Sequence, residues 1–184
     1  MSHKCLYCKV EQVMSYVKAL LALYCLLDTV KIIMEQPERY FAYGSNMNAE
    51  RMKERKAYYT DRIPAKLSGY RLVFAFNSGS GFGSATIVED PNSVVHGALY
   101  TLEKGGLETL DFFEWVDRGG YSRLSIKVEL ERGEMLDCIT YVATPAYHKD
   151  GLIPSKSYLS HLLKGKDVLP SDYYSFLENH ECGS

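Results

Sequence analysis

Tyr40-Phe41-Ala42-Tyr43-Gly44-Ser45-Asn46-Met47 is a short aromatic and apolar run that breaks abruptly into Gly-Ser-Asn. Tyr and Phe suit a pleated, half-buried surface, whereas Gly, Ser and Asn form turns and leave backbone N–H groups uncovered. The stretch therefore reads as a strand ending in a tight polar loop. Asn48 can cap a helix behind it, and Ala49, Glu50, Arg51, Met52 and Lys53 are good helix formers. Strand, loop and helix N-terminus together suit a carboxylate or a developing oxyanion, because free N–H groups converge there with the positive end of a helix dipole. An ordinary strand-to-helix turn has the same local chemistry.

Upstream, Glu11, Ser15, Lys18, Ala22, Cys25 and Thr29 recur at alternating spacings of four and three, with Val10, Val13, Met14, Val17, Leu20, Leu21, Tyr24 and Leu27 between them. This predicts an N-terminal amphipathic helix over Val10 to Ile33. Its continuous apolar run, Ala19 to Leu27, is bracketed by Lys18 and Asp28 and is far shorter than the roughly 20 residues a membrane span needs. No small-residue cleavage pattern follows it. Residues 1–33 thus read as a helical extension and residues 34–184 as one catalytic domain, with Met34 an alternative start.

Downstream, Tyr70, Leu72, Phe74 and Phe76 alternate with Arg71, Val73 and Ala75, which predicts a strand over Ala65 to Asn77 with one aromatic face. Ser78-Gly79-Ser80-Gly81-Phe82-Gly83 follows. The glycine spacing suggests a nucleotide loop, but the fingerprint needs a helix next, and Ala85-Thr86-Ile87-Val88 reads as strand; a hairpin loop fits better. Asp90-Pro91-Asn92-Ser93 reads as a turn before a further strand, Val94 to Leu102. Leu107, Leu110, Asp111 and Glu114 then fall at i, i+3, i+4 and i+7, so a helix over Leu107 to Val116 carries two carboxylates on its apolar face. Two more strands, Ser125 to Leu130 and Met135 to Ala143, precede a helix capped by Ser155 and a last one from Ser171. Without regular βαβ alternation, this order predicts an α+β fold: a small, largely antiparallel, curved or barrel-like sheet with flanking helices.

Composition narrows the function. The chain has 184 residues, 46% hydrophobic and 24% charged, as in ordinary globular proteins. A net charge of -2, with no basic stripe, offers nothing to nucleic acid. Five scattered cysteines fit a reducing, cytoplasmic setting better than a disulfide framework. Cys5 and Cys8 beside His3 have a metal-ligand spacing, but no second pair follows, so no metal role is assigned. There is no nucleophile elbow, no HExxH and no P-loop. The chemistry rests instead on Glu114, whose charged form is disfavoured by desolvation on an apolar helix face, as suits a general base or acid. A solvated Glu114 paired with Arg118 or Arg123 is the structural alternative.

Five blocks in order resemble the γ-glutamylcyclotransferase family: Tyr43-Gly44-Ser45-Asn46-Met47, Leu67-Ser68-Gly69-Tyr70-Arg71-Leu72, Val95-His96-Gly97-Ala98-Leu99-Tyr100, Leu110-Asp111-Phe112-Phe113-Glu114 and Gly120-Tyr121-Ser122-Arg123. The resemblance implies that family's small mixed barrel and its reaction. There the substrate's own α-amine attacks its γ-glutamyl amide, releasing 5-oxoproline and an amine or amino acid without metal or cofactor. It assigns Glu114 as general base and then acid. It assigns Gly44, Ser45 and Asn46 as donors to a small-molecule γ-glutamyl substrate, with Tyr43 packed beneath and Tyr121 in the pocket. Arg123, Tyr141 and Tyr158 are further candidates, each with a structural alternative. A non-catalytic binding module on the same fold is the rival reading, and the leaving group and the oligomeric state are left open.

Overall fold

A computed structural model describes residues 6–34 and 37–183. These form two compact units, divided between residues 36 and 37. The first is helix α1 (Leu6–Met34), where the alternating spacing predicts one. Among the described residues, no helix is long and apolar enough to cross a membrane. His3 and Cys5, and with them the metal-ligand spacing, lie outside the described residues.

In the second unit five strands close into a barrel in the order β1-β3-β2-β4-β5. They are β1 (Glu38–Ala42), β2 (Tyr59–Asn77), β3 (Gly83–Leu102), β4 (Tyr121–Leu130) and β5 (Met135–Ala143). Neighbours are antiparallel except β1 and β5, which close the barrel in parallel at Tyr40 and Ile139. Flanking helices are α2 (Ala49–Glu54), α3 (Gly106–Phe113), α4 (Lys156–Leu163) and α5 (Ser171–Glu178). The mixed, largely antiparallel barrel with flanking helices and an N-terminal helix is the fold the strand order predicts. Phe41, Met47, Tyr100, Leu110 and Val128 are fully buried in one hydrophobic core that the barrel shares with its flanking elements.

Three local expectations are revised by pairing. The Asp90-Pro91-Asn92-Ser93 turn does not separate two strands, because the ladder steps from Tyr70–Glu89 to Ser68–Val94 and these four residues form an irregularity inside β3. Asp90 accepts from the Asn92 N–H at 3.3 Å and the Ser93 hydroxyl at 2.8 Å, so the turn chemistry is present. Pro91, which has no N–H to give the ladder, sits where the ladder is interrupted. The aromatic face of β2 also loses strict alternation. A register shift between Phe74 and Phe76 leaves Phe74, Ala75 and Phe76 all buried, as a bulge does when it re-aims side chains. Finally, α3 stops at Phe113 rather than Val116. Glu114 is its C-cap, and Trp115 adopts a left-handed conformation (φ 54°) that no α-helix continues through.

Candidate active site

β1 delivers the chain into the Gly44–Asn46 loop, and the loop is fastened from the barrel side. The Tyr100 hydroxyl donates to the Asn46 carbonyl at 2.8 Å. Arg62 donates to that same hydroxyl at 3.0 Å and to the Met47 carbonyl at 2.6 Å, and is held in turn by Asp167 at 2.5 Å. Gly44 is closely packed: a Cβ there would lie 3.2 Å from the Ala85 Cβ and 3.3 Å from the Tyr158 hydroxyl. Asn48 caps α2 as predicted, its Oδ1 accepting from the Glu50 N–H at 3.1 Å. Arg51 lies in α2 and Arg55 is its C-cap, four residues apart and so on one side of the helix.

Glu114 arrives from the opposite side, at the end of α3. Its Oε1 accepts from Arg55 Nη1 at 2.7 Å and from Asn46 Nδ2 at 3.0 Å. Both ion-pair partners are largely buried, with 12% and 14% of their side chains exposed. Asn46 Nδ2 also donates to the Tyr40 hydroxyl at 2.9 Å. A carboxylate only accepts, which fixes the amide with its nitrogen toward Glu114. The other amide atom, Asn46 Oδ1, is then a buried acceptor with no hydrogen-bond partner. Glu114 Oε2 likewise has no partner among the described residues, since both protein donors fall on Oε1. Asn46 and Glu114 line one small cavity of ≈ 30 Å³, together with Gly44, Ser45 and tyrosines.

Those tyrosines include the predicted Tyr43, Tyr121, Tyr141 and Tyr158, together with Tyr40. Each is fastened through its hydroxyl. Tyr43 donates to the Tyr141 carbonyl, Tyr121 to the Ala85 carbonyl at 2.8 Å and Tyr141 to Asp111 Oδ1 at 2.7 Å, while Tyr158 accepts from the Ala85 N–H at 2.9 Å. Burial pushes the phenols of Tyr40, Tyr43, Tyr121 and Tyr158 upward, and the nearby Glu114 carboxylate adds to the shift. They are neutral at physiological pH and supply shape and hydrogen bonds, not a base.

Arg123 stands apart from this cavity. Its side chain is 32% exposed, and its guanidinium pairs with both oxygens of Asp111, at 2.9 and 2.7 Å, and with Glu108 at 3.5 Å. Arg123→Ala is therefore expected to cost about 1 kcal/mol or somewhat more, the pair with Asp111 being bidentate, and to leave KM within twofold of wild type. Steady-state kinetics and a thermal melt check both. Arg55 and Tyr40 are the members that reading the sequence missed. Arg55 has no local signal, since its partner lies 59 residues away. Among the described residues no group of three His, Cys, Asp or Glu is placed to hold a metal.

A larger cavity of ≈ 390 Å³ lies elsewhere, beside Pro64, Lys66, His96 and Leu169. Of its three carboxylates, Glu129 and Asp167 are paired with Lys66 and Arg62, and Glu131 is the third. A third, of ≈ 350 Å³, shares Tyr158 with the Glu114 cavity.

With this geometry in place, comparison with known proteins is informative. Residues 40–160 match the family model "Gamma-glutamyl cyclotransferase, AIG2-like". The chain is 30% identical to the gamma-glutamylcyclotransferase of Homo sapiens over 151 residues, 78% of this chain and 79% of that one. It is 30% identical to the enzyme of the same name from Mus musculus over 146 residues, 76% of each. A solved structure of a gamma-glutamyl cyclotransferase superposes with a TM-score of 0.72 at 29% identity, covering 81% of this chain and 90% of that one. The chain belongs to the gamma-glutamyl cyclotransferase, AIG2-like family, and with it to the cyclotransferase enzymes.

Proposed function

We propose that this chain cleaves a γ-glutamyl amide by intramolecular attack of the substrate's α-amine, releasing 5-oxoproline and the amine or amino acid that was bound to the γ-carbonyl. The observation that carries the reading is Glu114, which lines one cavity with the Gly44–Asn46 loop and has one carboxylate oxygen held by Arg55 and Asn46 and the other without a partner among the described residues. An α-ammonium has three N–H donors and no acceptor, so it complements a carboxylate oxygen without a partner. Glu114 takes one proton from it. That proton passes to solvent, the neutral amine attacks the γ-carbonyl carbon, and Glu114 takes the second proton from the attacking nitrogen; as the tetrahedral oxyanion collapses and the C–N bond breaks, Glu114 hands it to the departing nitrogen, which leaves as an amine. No water is consumed. The tether between nucleophile and electrophile supplies much of the rate once the chain is held folded back on itself.

The remaining groups have supporting roles. Arg55 pairs with Glu114 at the wall of the cavity, and Asn46 bridges Glu114 and Tyr40. Gly44 and Ser45 approach the γ-glutamyl group through their backbone, with Tyr43 and Tyr121 as walls. All of these lie within residues 34–184, which we take as the catalytic domain, with residues 1–33 as an extension. A cytoplasmic setting agrees with the free thiols of Cys138 and Cys182.

The test is to incubate the protein with γ-glutamyl dipeptides, γ-glutamylamines and glutathione and to measure 5-oxoproline. Release from any of them, abolished in Glu114→Gln, is the expected result. Binding of one without turnover would replace the enzyme reading by the binding module.

A further inference from the structure

The side chain next along from the catalytic cluster is Arg51, and its surroundings are unusual for a cation. It lines the ≈ 350 Å³ cavity that shares Tyr158 with the Glu114 cavity. The rest of that lining offers hydroxyls from Ser80, Ser84, Ser155 and Ser157 and the imidazole of His161, and includes no carboxylate. Arg51 Nε is buried with no hydrogen-bond partner. Glu54 and Glu114 influence it electrostatically, but neither is hydrogen-bonded to it among the described residues, and Arg55 already engages Glu114.

The imidazole makes the mismatch sharper. Asn48 Oδ1 is committed to the Glu50 N–H, so the Asn48 atom 3.1 Å from His161 Nδ1 is the amide nitrogen, a donor. Nδ1 must accept, and a neutral imidazole then carries its proton on Nε2. That Nε2–H faces Arg51 Nη1 at 3.4 Å, donor against donor. Burial and the Arg51 charge push the imidazole further toward its neutral form, which is the form that has only one acceptor. Two N–H groups on separate helices therefore converge with nothing between them to accept. An anionic oxygen would satisfy them.

Resting on the cyclotransferase reading above, we propose that Arg51 and His161 form an anion subsite for the leaving group, taking a carboxylate carried one carbon from the departing nitrogen. The scissile amide lies at Glu114, and the leaving group passes Tyr158 into the hydroxyl-lined cavity, where its carboxylate meets the two converging donors. Arg51 and Arg55 thus divide the work of α2: one cation holds the catalytic carboxylate, the other reads the far end of the substrate. A leaving group without that carboxylate gains nothing from Arg51 and leaves its donors unpaired.

The experiment compares kcat/KM for γ-glutamyl-alanine and γ-glutamyl-ethylamine, which differ in that carboxylate. Wild type is expected to favour the dipeptide by on the order of 10- to 100-fold, the range for hydrogen bonds to a charged group. Arg51→Met is expected to lower that ratio toward unity through KM, and His161→Leu, on a different helix, to lower it partway. Should Arg51→Met fail to fold, His161→Leu and the wild-type ratio decide the matter. Equal kcat/KM values in wild type, or a ratio that survives both substitutions, overturns the subsite while leaving the reaction intact. If neither these two compounds nor any other γ-glutamyl compound of the panel yields 5-oxoproline, the cyclotransferase reading fails by itself. The subsite is then judged by calorimetric titration with N-acetyl-alanine against N-acetyl-ethylamine. Preference for the former that Arg51→Met removes supports it, and equal binding rejects it.

Discussion

Glu114→Gln is expected to lower kcat by about 10²- to 10⁴-fold, the range for removal of a single general acid–base group. The substitution keeps the shape of the side chain but gives it no basic oxygen for the α-ammonium proton and no proton for the departing nitrogen. Because the proposed mechanism routes both transfers through one carboxylate, a second residue cannot take over half of the task. The expected cost to folding comes from the other side of the ion pair. Arg55, 12% exposed, loses its counter-charge and keeps its stacking over the Phe113 ring at 4.8 Å. The variant should therefore melt below wild type yet remain folded at 25 °C. Measuring 5-oxoproline release under saturating substrate, with circular dichroism on the same samples, separates the two effects. A kcat within a few-fold of wild type in a folded variant would remove Glu114 from the mechanism.

Gly97→Ala should have the largest effect on stability of any single methyl addition considered. A Cβ at Gly97 would lie 2.2 Å from the Ala42 carbonyl oxygen and 3.0 Å from the Phe41 ring. Ala42 is backbone in β1 and Phe41 is fully buried, so neither has anywhere to move. Overpacking of this kind costs about 3 kcal/mol or more. For a chain of this size that lowers Tm by about 6–12 °C. Since β1 carries the Gly44–Asn46 loop, any strand displacement should also raise KM. Gly69→Ala is the useful contrast. Gly69 has φ +83° with open space around it, so only backbone strain is added, about 1 kcal/mol. Thermal melts of the two variants side by side check the prediction. Equal losses would mean that the close approach of β3 to β1 relaxes freely.

The contrast between those glycines also marks what can be read from sequence. Val95-His96-Gly97-Ala98-Leu99-Tyr100 is legible as a family block, but the reason for its glycine is the neighbouring strand, 55 residues earlier in the chain. The same holds at the site. Tyr43 to Asn46, Glu114 and Tyr121 were within reach of sequence because they sit in motif blocks, and Tyr141 and Tyr158 could be offered as candidates. All of them line one cavity. Arg123, in an equally recognisable block, faces Asp111 and Glu108 instead. A block shows that a residue has a job without saying whether the job is chemistry or support.

What the sequence determined by itself was local in origin. Alternation gave the strands, Asn48 and Ser155 supplied their predicted caps, and the absence of βαβ order pointed to a largely antiparallel barrel; each follows from side-chain period or from hydrogen bonds a few residues long. Only the tertiary structure decided the partners. It set Arg55 rather than Arg118 or Arg123 against Glu114, left Asn46 Oδ1 without a donor, and brought Arg51 and His161 together from separate helices 110 residues apart. Closure of the barrel creates these contacts. Charge pairing and donor–acceptor balance depend on distances in space, and those are fixed when β1 meets β3 and β5, after every local preference has already been expressed.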